Sequence, residues 1–98
     1  MSLKKFTEEL MDIKDIETAR VLLTKAYFTK AEVKNRIFQI ELESIDFDSR
    51  TSIEKQQMKI AKTNEEYRQL LQELELLRAG INALELYIKL YEKQQEVL

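Results

Sequence analysis

Residues that form tight turns are almost absent from this chain, which has no proline and a single glycine among its 98 residues. A sheet protein of this size needs a turn roughly every 8–12 residues, and Gly and Pro supply most of those turns. A chain without them has to run in long continuous elements. We therefore predict an all-α fold.

Two long stretches repeat apolar residues at three- and four-residue steps, and a polar gap at residues 46–51 separates them. Such spacing, held over several heptads, is typical of helices that pack like a coiled coil. Because the gap is short, the two helices are predicted to form an antiparallel hairpin. A register centred on the gap brings Arg36 close to Glu66, an opposite-charge pair that favours this alignment.

We predict one helical-hairpin domain over residues 1–98, with a short N-terminal helix before the two long ones. The alternative is that this segment continues into the first long helix, because Leu3, Phe6, Leu10 and Ile13 keep helical spacing. Asp12 is predicted to cap the first long helix, because Asp is a favoured N-cap residue. Thr51 is predicted to cap the second, because Glu54 completes a capping box with it. The predicted helices span about residues 3–11, 13–46 and 52–97.

The predicted core is one heptad seam on each long helix, mostly apolar with a few polar members. The seam of the first helix comprises Ile16, Ala19, Leu23, Ala26, Lys30, Val33, Ile37, Ile40, Ser44 and Phe47. The seam of the second comprises Ile53, Gln56, Ile60, Thr63, Tyr67, Leu70, Leu74, Leu77, Ile81, Leu84, Ile88 and Tyr91. The single glycine, Gly80, is open to two interpretations, a close helix approach or a local weak point that costs about 1 kcal/mol against alanine.

A second apolar stripe runs along the back of each long helix, which one hairpin does not require. The two stripes comprise Val21, Phe28, Ala31, Phe38, Leu42 and Ile45, and then Leu76, Ala79, Ala83, Leu86 and Leu90. A helix that is apolar on both sides is normally buried on both sides. The short helix, about 14 Å long, cannot cover a long helix of about 50 Å. We therefore expect the chain to associate with itself into a helical bundle, as a dimer or a tetramer.

Enzyme chemistry has few candidates in this sequence, because it contains neither histidine nor cysteine. Those residue types supply the commonest general base, the common transition-metal ligands and the thiol nucleophile. We predict no catalytic, cofactor-binding or metal-binding residues. No apolar run approaches the roughly 20 residues of a membrane span, and without disulfides we expect a cytoplasmic protein with no membrane partner.

One segment of the first long helix, residues 20–36, is basic although the whole chain has a formal charge of −2. Basic side chains interleaved with an aromatic ring can contact phosphates and stack on a base. Contact with nucleic acid is therefore the alternative hypothesis for this chain. The residues that would make it are Arg20, Tyr27, Lys30 and Lys34.

These observations favour a non-enzymatic protein-interaction module, such as an adaptor, an assembly factor or a protein inhibitor. Its expected partners are further copies of itself and another protein. In its small size, its helical pattern and its lack of Cys and His, the chain is similar to many phage and prophage accessory proteins. That resemblance implies an accessory role.

Overall fold

The computed structural model describes residues 3–97, which form four helices and no strand. The helices are α1 (Leu3–Met11), α2 (Ile16–Ser44), α3 (Ile53–Thr63) and α4 (Glu65–Val97). The predicted all-α hairpin is therefore confirmed. Helices α2 and α4 are antiparallel, and the predicted pair forms between Arg36 Nη2 and Glu66 Oε1 at 2.6 Å.

Helix α2 begins later than predicted, because its N-cap is Asp15 and not Asp12. The Asp15 carboxylate accepts a hydrogen bond from the backbone N–H of Thr18 at 2.7 Å. That bond stabilises the charged form and lowers the pKa of Asp15 below its ordinary value. Residues 12–15 form the link between α1 and α2.

The hairpin turn starts earlier than predicted and takes two expected seam residues out of the core. Helix α2 ends at Ser44, so Phe47 lies in the turn and is 60% exposed. Ile53 is the first residue of α3 and is 47% exposed. The α3 cap is Ser52, which accepts from the N–H of Lys55 at 3.2 Å, so the predicted Thr51 cap was wrong.

The predicted helix 52–97 is divided at Asn64 into α3 and α4. Asn64 leaves helical geometry, with φ −116° and ψ 105°, and its side-chain oxygen accepts from the N–H of Tyr67 at 3.0 Å. Its own N–H donates to the carbonyl of Ile60 at 2.8 Å. Asn64 is therefore the C-cap of α3, and its side chain caps the start of α4 as an N-cap residue does.

The core lies along the facing sides of α2 and α4, with α1 and α3 packed beside them. Its buried members are Phe6, Ala19, Leu22, Ala26, Val33, Ile37, Ile40, Ile45, Ile60, Tyr67, Leu74, Leu77, Ile81 and Leu84. The molecule is elongated, at 59 × 25 × 17 Å with a radius of gyration of 17.4 Å, against roughly 13 Å for a compact chain of similar length. Such a shape leaves the outer faces of the long helices in water.

Gly80 is a point of close approach between helices. The ring of Phe6, on α1, is 2% exposed and occupies the space that a Cβ atom on Gly80 would need. The missing side chain therefore lets α1 lie against α4. This contact decides between the two interpretations of the glycine in favour of close packing.

Tyr67 makes the stability of the fold sensitive to alkaline pH. Burial, together with the hydrogen bond that its hydroxyl donates to Glu41 at 3.1 Å, raises the pKa of Tyr67 from 10.0 to about 12. Because the folded-state pKa is the higher one, the stabilisation is complete below pH 10 and is lost between pH 10 and 12. We expect unfolding to become easier by about 2 kcal/mol over that interval.

The matched variant is Tyr67→Phe, which keeps the ring but cannot ionise. Urea unfolding of both proteins at several pH values between about 9 and 12 would separate this tyrosine from other alkaline groups. The Phe variant should lose clearly less stability over the interval than the parent protein. Equal losses in the two proteins would contradict the assignment.

Candidate self-association surface

The predicted second stripes lie in water in the single chain. The α2 stripe consists of Val21, Phe28, Ala31, Phe38 and Leu42. The exposed fraction of its large side chains ranges from 53% at Leu42 to 67% at Phe28. On α4, the α4 stripe (Leu76, Ala79, Ala83, Leu86 and Leu90) has leucines that are 52–57% exposed. Both rows keep heptad spacing on the side away from the core.

Ile45 does not belong to this surface, contrary to the prediction. It is the C-cap of α2, with φ −88° and ψ 132°, and is 8% exposed. The chain leaves the helix at this residue, so helical spacing no longer decides where its side chain lies. Ile45 packs into the hairpin core instead.

The two stripes lie on opposite sides of the hairpin. At about 100° per residue, each stripe is centred roughly opposite the seam of its own helix. Since the two seams face one another across the core, the stripes point away from one another. A single two-fold contact with another copy can therefore cover one stripe only.

A shallow depression of about 710 Å³ borders the α2 stripe at Phe38. Its walls combine apolar Ala31 and Leu74 with the charged side chains of Lys34 and Glu41. A surface that combines apolar side chains with polar and charged ones is typical of a contact with another protein. The depression therefore extends the α2 stripe sideways and is part of the same surface.

Contiguous exposed apolar rows of this length are rare on monomeric proteins and usually mark an interaction site. No known protein family, curated protein or solved structure matches the chain.

The basic segment predicted as a nucleic-acid contact is partly engaged by carboxylates. Arg20 is paired with Glu17 at 3.2 Å and with Glu92 at 3.4 Å. Tyr27 donates its hydroxyl to Glu85, and this hydrogen bond raises the pKa of the phenol. A phosphate approaching these two residues would meet the carboxylates as well, which disfavours binding.

Lys30 and Lys34 are the remaining basic residues of the predicted contact. Neither has an ion pair within residues 3–97, and Lys34 is exposed whereas Lys30 is half-buried. Two lysines supply little of the phosphate neutralisation on which nucleic-acid affinity depends. The nucleic-acid hypothesis therefore rests on a weaker surface than the apolar stripes.

The described part of the chain holds no group of three or more acidic residues arranged to bind a metal ion. Its buried side chains include no charged or polar residue apart from the tyrosine hydroxyl of the core. None of its helices combines the length and the apolar character that crossing a bilayer requires.

Proposed function

We propose that this chain is a non-enzymatic, cytoplasmic protein-interaction module that associates with itself through its exposed stripes. The observation that carries the proposal is the exposure of large apolar side chains in heptad rows on the backs of both long helices. Burying such a row against a second helix removes apolar area from water at about 25 cal/mol per Å². An adaptor, an assembly factor or a protein inhibitor would each use a surface of this kind.

Because the stripes lie on opposite sides of the hairpin, the oligomeric state determines whether a stripe remains free to bind another protein. A dimer formed through one stripe leaves the other available to a different protein. A tetramer formed through both stripes covers the apolar surface of every copy. We propose self-association as the first step and contact with another protein as the second, in an accessory role.

Substitution of Phe38 tests the proposal at a large, exposed residue of the α2 stripe. Phe38→Asp places a charge where the proposed interface is apolar, and an unpaired charge is costly to bury. Because the parent side chain is 56% exposed in the single chain, the fold itself should tolerate the change. If the α2 stripe is an interface between copies, size exclusion with light scattering should show a lower mass for the variant, with unchanged helical content by circular dichroism.

Phe38→Leu is the matched control, since it keeps the position apolar, and it should retain the mass of the parent protein. A parent protein that shows the monomer mass of 11.7 kDa even at millimolar concentration would contradict the proposal. A tetramer unaffected by Phe38→Asp would exclude the α2 stripe. A parent dimer unaffected by the change would place self-association on the α4 stripe.

A further inference from the structure

A row of polar residues borders the α4 stripe on one flank and has an unusual charge pattern. Its members stand seven residues apart and are all exposed, namely Arg68, Glu75, Asn82, Lys89 and Glu96. Read along the helix, the charges are positive, negative, neutral, positive and negative. Residues at equal distances on either side of Asn82 carry opposite charges. The row is therefore complementary to a second copy of itself that runs in the opposite direction.

We propose that the α4 stripe docks antiparallel on the α4 stripe of a second copy, with Asn82 facing Asn82 across a two-fold axis. This inference rests on the proposed self-association and names its interface and register. In antiparallel helix pairs, residues on the same flank of the two seams face one another. Glu75 then faces Lys89 of the second copy, and Arg68 faces its Glu96. Two-fold symmetry forms each pair twice.

Four of the five residues of the α4 stripe fit the same register, and Leu90 lies beyond these layers. Ala79 and Ala83 meet across the axis, where their small side chains let the two helices approach closely. Leu76 and Leu86 of opposite copies form the next layers outward. The asparagines at the axis can hydrogen-bond to one another, because an amide both donates and accepts.

The opposite flank of the stripe is unsuited to this role. There α1 packs against α4, with the Phe6 ring on Gly80. A parallel pair would bring the charged row against that flank, where Gly80, Tyr87 and Gln94 carry no charge and only Arg68 would gain an opposite charge, at Glu73. The antiparallel pair uses the flank that α1 leaves open.

Glu75 already accepts a hydrogen bond from Arg78 at 3.0 Å, but its side chain remains 73% exposed. It can therefore meet a lysine of the second copy without leaving Arg78. Exposed ion pairs contribute little individually, so the apolar layers provide the affinity. The charges determine the register, since a wrong register places like charges together.

Cysteine cross-linking of the full chain tests the register. Because the chain has no native cysteine, only the introduced thiols can form disulfides. Asn82→Cys places two thiols across the proposed axis, and mild oxidation should give a disulfide-linked dimer in high yield. Glu96→Cys is the matched control on the same flank. Its two copies would be about 42 Å apart and should remain monomeric on a denaturing gel. Equal cross-linking of both variants would overturn the proposal.

Charge reversal tests the pairing between copies. Glu75→Lys and Lys89→Glu, made singly, each put like charges opposite one another at two symmetric places. Each is expected to raise the dimer dissociation constant at least about tenfold in low salt. The double variant restores opposite charges and should recover most of that loss. In the double variant, the lysine introduced by Glu75→Lys still lies beside Arg78 on the same helix. Recovery of affinity therefore cannot come from a restored contact within α4.

The outcomes separate this inference from the proposed function. A chain that is monomeric at all accessible concentrations contradicts both. A stable oligomer that neither cross-links through Asn82→Cys nor responds to charge reversal contradicts the α4 register alone, and leaves the α2 stripe, or the α4 stripe in a different register, as the interface.

Discussion

Leu84→Ala is expected to lower the free energy of unfolding by about 2–5 kcal/mol. Leu84 lies near the middle of α4 and is 1% exposed. Truncation removes buried apolar contacts, and two long helices that already pack together cannot close over the cavity completely. The loss should appear at every protein concentration, because the contact lies within one chain. Urea unfolding followed by circular dichroism measures it.

Leu86→Ala is the matched control, two residues along the same helix. Its side chain is 57% exposed in the single chain, so its truncation should change the stability of a monomer by no more than about 0.5 kcal/mol. In an oligomer that buries the α4 stripe, the same change should lower stability in a concentration-dependent way. Equal and concentration-independent losses for the two variants would contradict the division of α4 into a core side and an outer side.

The hairpin was predictable because its evidence is repeated many times along the chain. Each apolar residue at a heptad position contributes a small preference, and the sum over long helices outweighs individual exceptions such as the half-buried Lys30. The Arg36–Glu66 pair confirms the alignment near the middle of the hairpin. Exposure of the α2 and α4 stripes in the single chain follows from the same periodicity, which places them opposite the seam.

The ends of the helices were not predictable in the same way, since each depends on a single local choice. Asp12 and Asp15 are equally suitable caps by residue type, and only the hydrogen bond to Thr18 distinguishes them. Asn64 interrupts a seam whose phase continues on both sides, so periodicity gives no sign of the break. The available signal was the residue type itself, because asparagine is a favoured cap and a poor residue for a helix interior.

The fit between Phe6 and Gly80 was beyond the reach of periodicity as well, because it joins two helices far apart in sequence. A repeating pattern on one helix says which residues share a face, but not which position of a distant helix meets them. The shape of the contact explains why the small residue lies at this place. It also predicts that the effect of Gly80→Ala on stability changes sign when Phe6 is replaced by a smaller residue.

Gly80→Ala is expected to destabilise the parent protein, although alanine is the better helix former by about 1 kcal/mol. The added Cβ would overlap the ring of Phe6 at its Cε1 and Cζ atoms, so α1 has to move away from α4. Overpacking of this kind typically costs about 1–3 kcal/mol, and complete loss of the buried ring costs about 3–5 kcal/mol. In a Phe6→Leu background the obstruction is reduced, and the same Gly80→Ala change should stabilise the fold.

A double-mutant cycle on these two residues therefore has a defined sign. Unfolding of the four proteins in urea should give a coupling energy of about 2 kcal/mol or more between positions 6 and 80, with the double variant more stable than the sum of the single changes predicts. Release of α1 should also increase the susceptibility of the chain to proteolysis near residues 12–15, where the link to α2 lies. If Gly80→Ala instead stabilises the parent protein by about 1 kcal/mol, as in an unobstructed helix, then α1 does not dock through Phe6.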